Sequence, residues 1–144
     1  MNYVLEMYRQ MFANLNRGSN KGVYSNAKPI FLISIIDFVT VAKDNRITWR
    51  DKKLEEIYME NYRKLDGSKP TLFWKPFYYM SSEPFYSLVW EHEPDKLTKS
   101  HPSGKLLKCS LSYAQIDDEL WSLLQDETNR SYLRNSIVNT YFSK

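Results

Sequence analysis

Apolar residues recur at steps of three and four over four stretches of this chain, residues 1–15, 48–65, 116–124 and 133–142. That spacing is the period of an amphipathic helix, so each stretch predicts one helix with a buried face. A further stretch, residues 29–41, is almost entirely apolar. It starts with a proline, which suits the first helical position because the missing N–H would have no partner there. This stretch predicts a fifth helix that is largely buried.

Two short apolar runs between these helices predict strands. Residues 85–90 and 106–111 lie on either side of a polar loop, a pattern typical of a small antiparallel sheet. The chain has no internal repeat and no composition shift that would mark a second domain. We therefore predict that residues 1–144 form a single domain of the α+β class, mainly α, with about five helices around a small antiparallel sheet.

The segment over residues 72–80 is rich in aromatic residues and proline, which disfavours a helix. Side chains that alternate along an extended segment face opposite sides. Either Phe77 and Tyr79 or Tyr78 and Met80 are therefore expected in the core. The pattern does not decide between these two pairs.

Composition limits the class of protein. The single cysteine, Cys109, can form neither an internal disulfide nor a multi-cysteine metal site, so a reducing compartment fits best. No apolar stretch is long enough to cross a bilayer, and the first residues lack the basic and apolar regions of a signal peptide. We expect a cytoplasmic protein with no membrane partner.

Charge is distributed unevenly along the chain. Twenty basic and seventeen acidic side chains give a net charge of only +3. Up to residue 28, however, the chain carries four cations and one acid, whereas five acids cluster over residues 117–127. A local excess of cations is consistent with an anionic partner such as a nucleic acid.

Few residues could carry catalysis. His92 and His101 both lie in a polar loop, where a hydrolytic site would be poorly held, and no recognised metal-ligand spacing surrounds either of them. Residues 117–119 are three adjacent acids, but neighbours along a helix point in different directions, and acids in a first turn complement the helix dipole. We predict no catalytic site, no metal and no cofactor in this chain.

Two segments place a lysine beside a proline at the edge of an apolar run, and we name them the first strip (residues 26–29) and the second strip (residues 75–79). The first strip opens the buried helix, whose free backbone N–H groups would favour an anion. The polar loop before it adds two more cations. In the second strip, a tyrosine could reach a sugar or a base edge. The residues predicted to contact phosphate are Arg17, Lys21, Lys28 and Lys75.

Four segments in order carry a resemblance to a known family. They are residues 28–32 (KPIFL), 76–89 (PFYYMSSEPFYSLV), 116–124 (IDDELWSLL) and 130–134 (RSYLR). Together they resemble the N-terminal domain of bacterial HNH-type restriction endonucleases, which is similar to the sulfur-binding domains that recognise phosphorothioate-modified DNA. The resemblance spans nearly the whole chain. It implies a module that binds modified double-stranded DNA, with an HNH nuclease domain on the same polypeptide or on a partner.

The same resemblance implies which residues form the DNA face. The family typically carries Pro-His-Lys/Arg-Pro in the first strip, where this chain has Asn26, Ala27, Lys28 and Pro29. The family carries an aromatic residue, then Pro-Phe and another aromatic residue in the second strip, and here a lysine replaces the first of these. The residues implied for the cavity around the marked position are Asn26, Ala27, Pro29, Pro76, Phe77, Tyr78 and Tyr79.

Two other functions stay open at the level of the sequence. The chain could be a protein-interaction module that docks through exposed aromatic residues, or a small metal-dependent enzyme centred on His92. DNA binding weakens as salt is added, whereas hydrophobic docking does not weaken in that way. A metal assay on protein purified without an affinity tag tests the enzyme.

Overall fold

The computed structural model describes residues 2–20 and 23–143, and over these ranges the chain forms eight α-helices and five short strands. The helices are α1 (Tyr3–Ala13), α2 (Ala27–Phe38), α3 (Lys52–Leu65), α4 (Trp74–Tyr79), α5 (Lys96–Lys99), α6 (Gly104–Ser110), α7 (Asp118–Leu123) and α8 (Glu127–Phe142). The strands are β1 (Ser19–Asn20), β2 (Val23–Tyr24), β3 (Arg46–Ile47), β4 (Tyr86–Trp90) and β5 (Leu111–Ile116). A 3-10 helix, Met80–Ser82, follows α4 directly. The predicted mainly α class is confirmed, although the described residues hold eight helices and not five.

Helix α2 forms the centre of the core, as its apolar sequence predicts. Eleven of its twelve residues are buried. The ring of Phe31 packs edge-on against the rings of Tyr58, Phe73, Phe77 and Tyr86, with centroids between 5.7 and 6.3 Å apart. Each fully buried side chain of this size contributes about 1.5–3 kcal/mol of hydrophobic stabilisation. These contacts join α2, α3, α4 and β4 around one aromatic cluster.

A three-stranded antiparallel sheet packs beside this cluster, in the order β3-β5-β4. Tyr86 at the start of β4 pairs with Ile116 at the end of β5, and Leu88 pairs with Ala114. The predicted strand at residues 85–90 is confirmed as β4. Because Tyr86 and Ile116 are buried, the sheet is held to the core at the end that contains the first residue of β4 and the last residue of β5.

Two segments differ from their predicted conformation. The predicted strand at residues 106–111 is wrong, since α6 occupies most of it and the strand starts only at Leu111. The Ser103 hydroxyl accepts a 3.1 Å hydrogen bond from the Leu106 N–H and so caps α6. Residues 72–80 contain α4, so the prediction that their proline and aromatic content disfavours a helix is wrong. Pro76 is its third residue, and a first-turn N–H has no partner inside the helix, so proline is tolerated.

Candidate nucleic-acid interface

A pocket of about 450 Å3 opens where the start of α2, helix α4 and the segment after α1 meet. It is lined by Asn16, Arg17, Gly18, Ser25, Ala27, Lys28, Thr71, Lys75, Pro76, Tyr79 and Ser82. The residues among these that the sequence predicts for the DNA face are Arg17, Ala27, Lys28, Lys75, Pro76 and Tyr79. The fold therefore brings the first and second strips, which lie far apart in the sequence, to one concave surface.

Helix α4 decides which residues of the second strip reach this pocket. Lys75, Pro76 and Tyr79 line it, whereas Phe77 and Met80 are fully buried in the core. Neither predicted core pair is correct, because residues three apart share the buried side of a helix whereas residues two apart do so in a strand. The aromatic ring left at the surface is that of Tyr79, which is 48% exposed.

The guanidinium of Arg17 lies at the pocket and forms no ion pair within residues 2–20 and 23–143. Its Nε donates to the Ser25 carbonyl (2.9 Å) and its Nη2 donates to Asn26 Oδ1 (2.6 Å). The rings of Tyr24 and Tyr141 lie 5.3 and 4.9 Å from its central carbon. None of the ion pairs in the part of the chain that the structure describes involves Arg17. Its positive charge is therefore held in place, and no carboxylate of the described residues pairs with it.

Asn26 positions Arg17 and does not line the pocket itself. Its side-chain nitrogen donates to Asp66 Oδ1 (2.7 Å), which turns its oxygen toward Arg17. Burial of Asp66 by itself raises the pKa of that carboxyl, but hydrogen bonds from Ser68 and Asn26 outweigh burial and hold the pKa below its usual value. An ionised Asp66 thus fixes the orientation of the amide, and the amide fixes the guanidinium.

Lys28 lines the pocket with its ammonium group already paired. Its Nζ donates to Ser82 Oγ (2.7 Å) and to Glu83 Oε2 (3.0 Å). The Glu83 side chain is only 3% exposed, and the same oxygen accepts the Asn16 N–H at 2.9 Å. In this structure the charge of Lys28 is therefore balanced inside the protein, and the pair ties α2 to the segments on both sides of the pocket.

Lys75 offers the second cation without an acidic partner among the described residues. It is exposed, and its ammonium lies 5.9 Å from the centre of the Trp74 ring. Trp74 in turn packs on Gly104, where an added Cβ would lie 3.2 Å from the Trp74 ring. The glycine therefore lets α6 support the indole ring beneath Lys75.

Other residues predicted for the interface lie elsewhere. Pro29 and Phe77 are buried, and the Tyr78 hydroxyl donates to the Lys99 carbonyl (3.1 Å), away from the pocket lining. Lys21 lies outside the described residues.

Several polar residues that build the pocket are not predicted from the sequence. Asn16, Ser25, Thr71 and Ser82 line it, and Glu83 neutralises Lys28. The sequence offers one indication for Glu83, because this residue closely follows the second strip and lies within residues 76–89, which carry the resemblance. Its pairing with Lys28 depends on tertiary structure.

His92, His101 and Asp117, which the sequence raises as candidates for metal binding or catalysis, do not line this pocket. His92 and His101 are exposed, and residues 2–20 and 23–143 contain no group of three or more His, Cys, Asp or Glu side chains placed to hold a metal ion. Asp117 accepts a hydrogen bond from the Tyr8 hydroxyl (2.8 Å), which links α1 to the turn before α7. The Asp117 carboxylate therefore has a hydrogen-bond partner within the fold. This agrees with a structural role for an acid at the start of a helix.

Comparison of the sequence with models of known protein families and with curated proteins finds no match. Within the described ranges, no helix combines the length and the apolar character that a membrane span requires.

Proposed function

We propose that this chain is a DNA-binding module that recognises backbone-modified duplex DNA, with phosphorothioate as the mark. It would direct an HNH nuclease, on the same polypeptide or on a partner, to such DNA in the cytoplasm. The observation that carries the proposal is the shared pocket of the two strips, where Arg17 and Lys75 have no acidic partner among the described residues. The resemblance to the N-terminal domain of HNH-type restriction endonucleases supports the choice of partner.

The two cations suit a phosphodiester backbone. Two of the Arg17 nitrogens bond to the protein and fix the plane of the guanidinium, while Nη1 takes part in neither of these bonds. A guanidinium held in this way can donate to a phosphate oxygen at little further cost in side-chain entropy. Lys75 lies at the same pocket as a more mobile point charge.

The apolar side of the pocket suits sulfur. Ala27 and Pro76 are both buried, and Tyr79 adds an aromatic surface. A sulfur atom in place of a non-bridging oxygen is larger, softer and more weakly hydrated, so it loses less hydration free energy when it enters an apolar site. A tenfold preference for the sulfur duplex needs about 1.4 kcal/mol, which one well-fitted apolar contact can supply.

A protein-interaction module is the second candidate. It is favoured by the exposed rings of Tyr24 and Tyr79, which are 58% and 48% exposed and lie at or beside the pocket. Rings of this kind can dock an apolar partner surface as readily as a sugar or a base. The two candidates differ in their dependence on salt, because only phosphate binding releases condensed counterions.

Titration of matched duplexes, with and without one stereodefined phosphorothioate, tests the proposal at several salt concentrations. The sulfur duplex should bind about tenfold more tightly. Arg17→Ala and Lys75→Ala should each weaken binding and lower the magnitude of the log–log salt slope by about 0.9, the loss of one phosphate contact.

Two matched variants control for loss of charge at the surface. Arg46 also lies over a tyrosine ring, that of Tyr113 at 5.3 Å, but it lines no part of this pocket. Lys43 is an exposed lysine that lies with Arg46 at a second surface, which shares no lining residue with the pocket. Arg46→Ala and Lys43→Ala should leave the salt slope unchanged. Equal slopes for all four variants would place the DNA face elsewhere, and an absence of salt dependence would favour the protein-interaction module.

A further inference from the structure

The pocket is far larger than the phosphorothioate sulfur that it is proposed to recognise. Its volume of about 450 Å3 equals that of about fifteen molecules of liquid water. One sulfur atom replaces one phosphate oxygen and would fill a small part of this space. The remaining volume lies in the range of pockets that hold whole small organic molecules.

The pocket also presents an aromatic face that is held in a fixed orientation. The Tyr79 ring packs edge-on against the Tyr78 ring, with centroids 5.2 Å apart and planes at 88°. The Tyr78 hydroxyl is anchored on the Lys99 carbonyl, so the neighbour that supports Tyr79 is itself held in place. An exposed ring with such support is a platform on which a nucleobase can stack.

A hydrogen-bonding group lies at the same pocket. The Asn16 backbone N–H is fixed on Glu83 Oε2 (2.9 Å), which positions this residue at the rim. In the described part of the chain, its exposed side-chain amide takes part in no hydrogen bond within the protein. An asparagine amide offers both a donor and an acceptor, the combination that reads the edge of a base.

We propose that the pocket accepts one whole nucleotide, unstacked from its strand, beside the marked phosphate. Its phosphate is held by Arg17 and Lys75, its base stacks on Tyr79, and the base edge pairs with the Asn16 amide. This inference rests on the proposed function and adds that the protein opens the base stack. Extrusion of a nucleotide requires loss of pairing and stacking, which new stacking on the protein offsets.

A thermodynamic cycle between Tyr79 and the base tests the inference. The full chain and its Tyr79→Ala variant are titrated with phosphorothioate duplexes that carry either a normal base or an abasic sugar at each nucleotide flanking the mark. Tyr79→Ala should weaken binding of the duplex with the base about tenfold at one of the two positions. It should weaken binding of the abasic duplex at that position much less, because no base remains to stack and only the contribution of the ring to the sulfur site is lost.

A mismatch opposite the same nucleotide should tighten binding by the full chain, because the pair to be broken is weaker. Tyr79→Phe keeps the ring and should bind as the full chain does. Tyr3→Ala removes a tyrosine that is 79% exposed and is not part of the pocket lining, and this variant should bind every duplex normally. Equal losses for Tyr79→Ala on both kinds of duplex, or no effect of the mismatch, would overturn this inference alone. Failure of the full chain to bind any duplex would overturn the proposed function as well.

Discussion

The ion pair between Lys28 and Glu83 allows a quantitative test of what holds the pocket together. Lys28→Met removes the ammonium and keeps an unbranched side chain of similar length. Among the described residues, the Asn16 N–H and the Ser82 hydroxyl would then be the remaining hydrogen-bond donors to the buried Glu83. Loss of one partner of a buried ion pair costs about 3–5 kcal/mol, because the remaining charge is uncompensated.

The expected cost lies at the lower end of that range. The Lys28 side chain is 11% exposed at the pocket, so water can partly solvate the vacated position. We therefore expect Lys28→Met to lower the free energy of unfolding by about 3 kcal/mol. A domain of this size has a total stability of about 5–15 kcal/mol, so the variant should fold and yet unfold at a much lower urea concentration. The double variant Lys28→Met/Glu83→Gln should lose less than the sum of the two single variants.

Urea unfolding followed by circular dichroism measures these changes. Lys64→Met is the matched control, since it also breaks a lysine–glutamate pair, but its partner Glu60 is at the surface and both side chains are well exposed. Its urea midpoint should not change measurably, because exposed pairs contribute little. A cost below about 1 kcal/mol for Lys28→Met would refute the assignment of Lys28 as a buried, internally balanced charge. In that case Lys28 would be free to contact phosphate.

Two further predictions concern the fold. Burial raises the pKa of the Tyr58 and Tyr86 hydroxyls. Above about pH 10 the unfolded chain therefore loses protons that the folded chain keeps. The free energy of unfolding should fall as pH rises in this range. Urea midpoints at about pH 8 and pH 11 measure this loss of stability. Tyr86→Phe should reduce the loss, and equal midpoints for the unmodified chain would contradict the prediction. Gly67, just after α3, has a φ of 82° and open space around an added Cβ, so Gly67→Ala should cost about 1 kcal/mol from backbone strain alone. Thermal unfolding measures this loss, and Gly67→Asn should lose less because asparagine tolerates that conformation.

The local apolar period was enough to predict several elements. α1, α3 and the two closing helices follow from the spacing of apolar residues, and the buried helix α2 follows from its continuous apolar run and its proline. Helices α4 and α6 span only six and seven residues, and apolar spacing did not predict them. In residues 72–80 and 106–111, composition favoured extended chain, but the structure forms α4 and α6 there.

The candidate site shows the same division between sequence and tertiary structure. The sequence alone identified the two strips and the cations in them. It could not show that Glu83 lies 3.0 Å from Lys28, or that Asn26 holds Arg17. These contacts depend on which distant segments pack together, and packing is decided by the whole core around α2. Whether a cation is balanced inside the protein or left for a ligand is therefore a property of the tertiary structure, because charge balance depends on distance in space and not on distance along the chain.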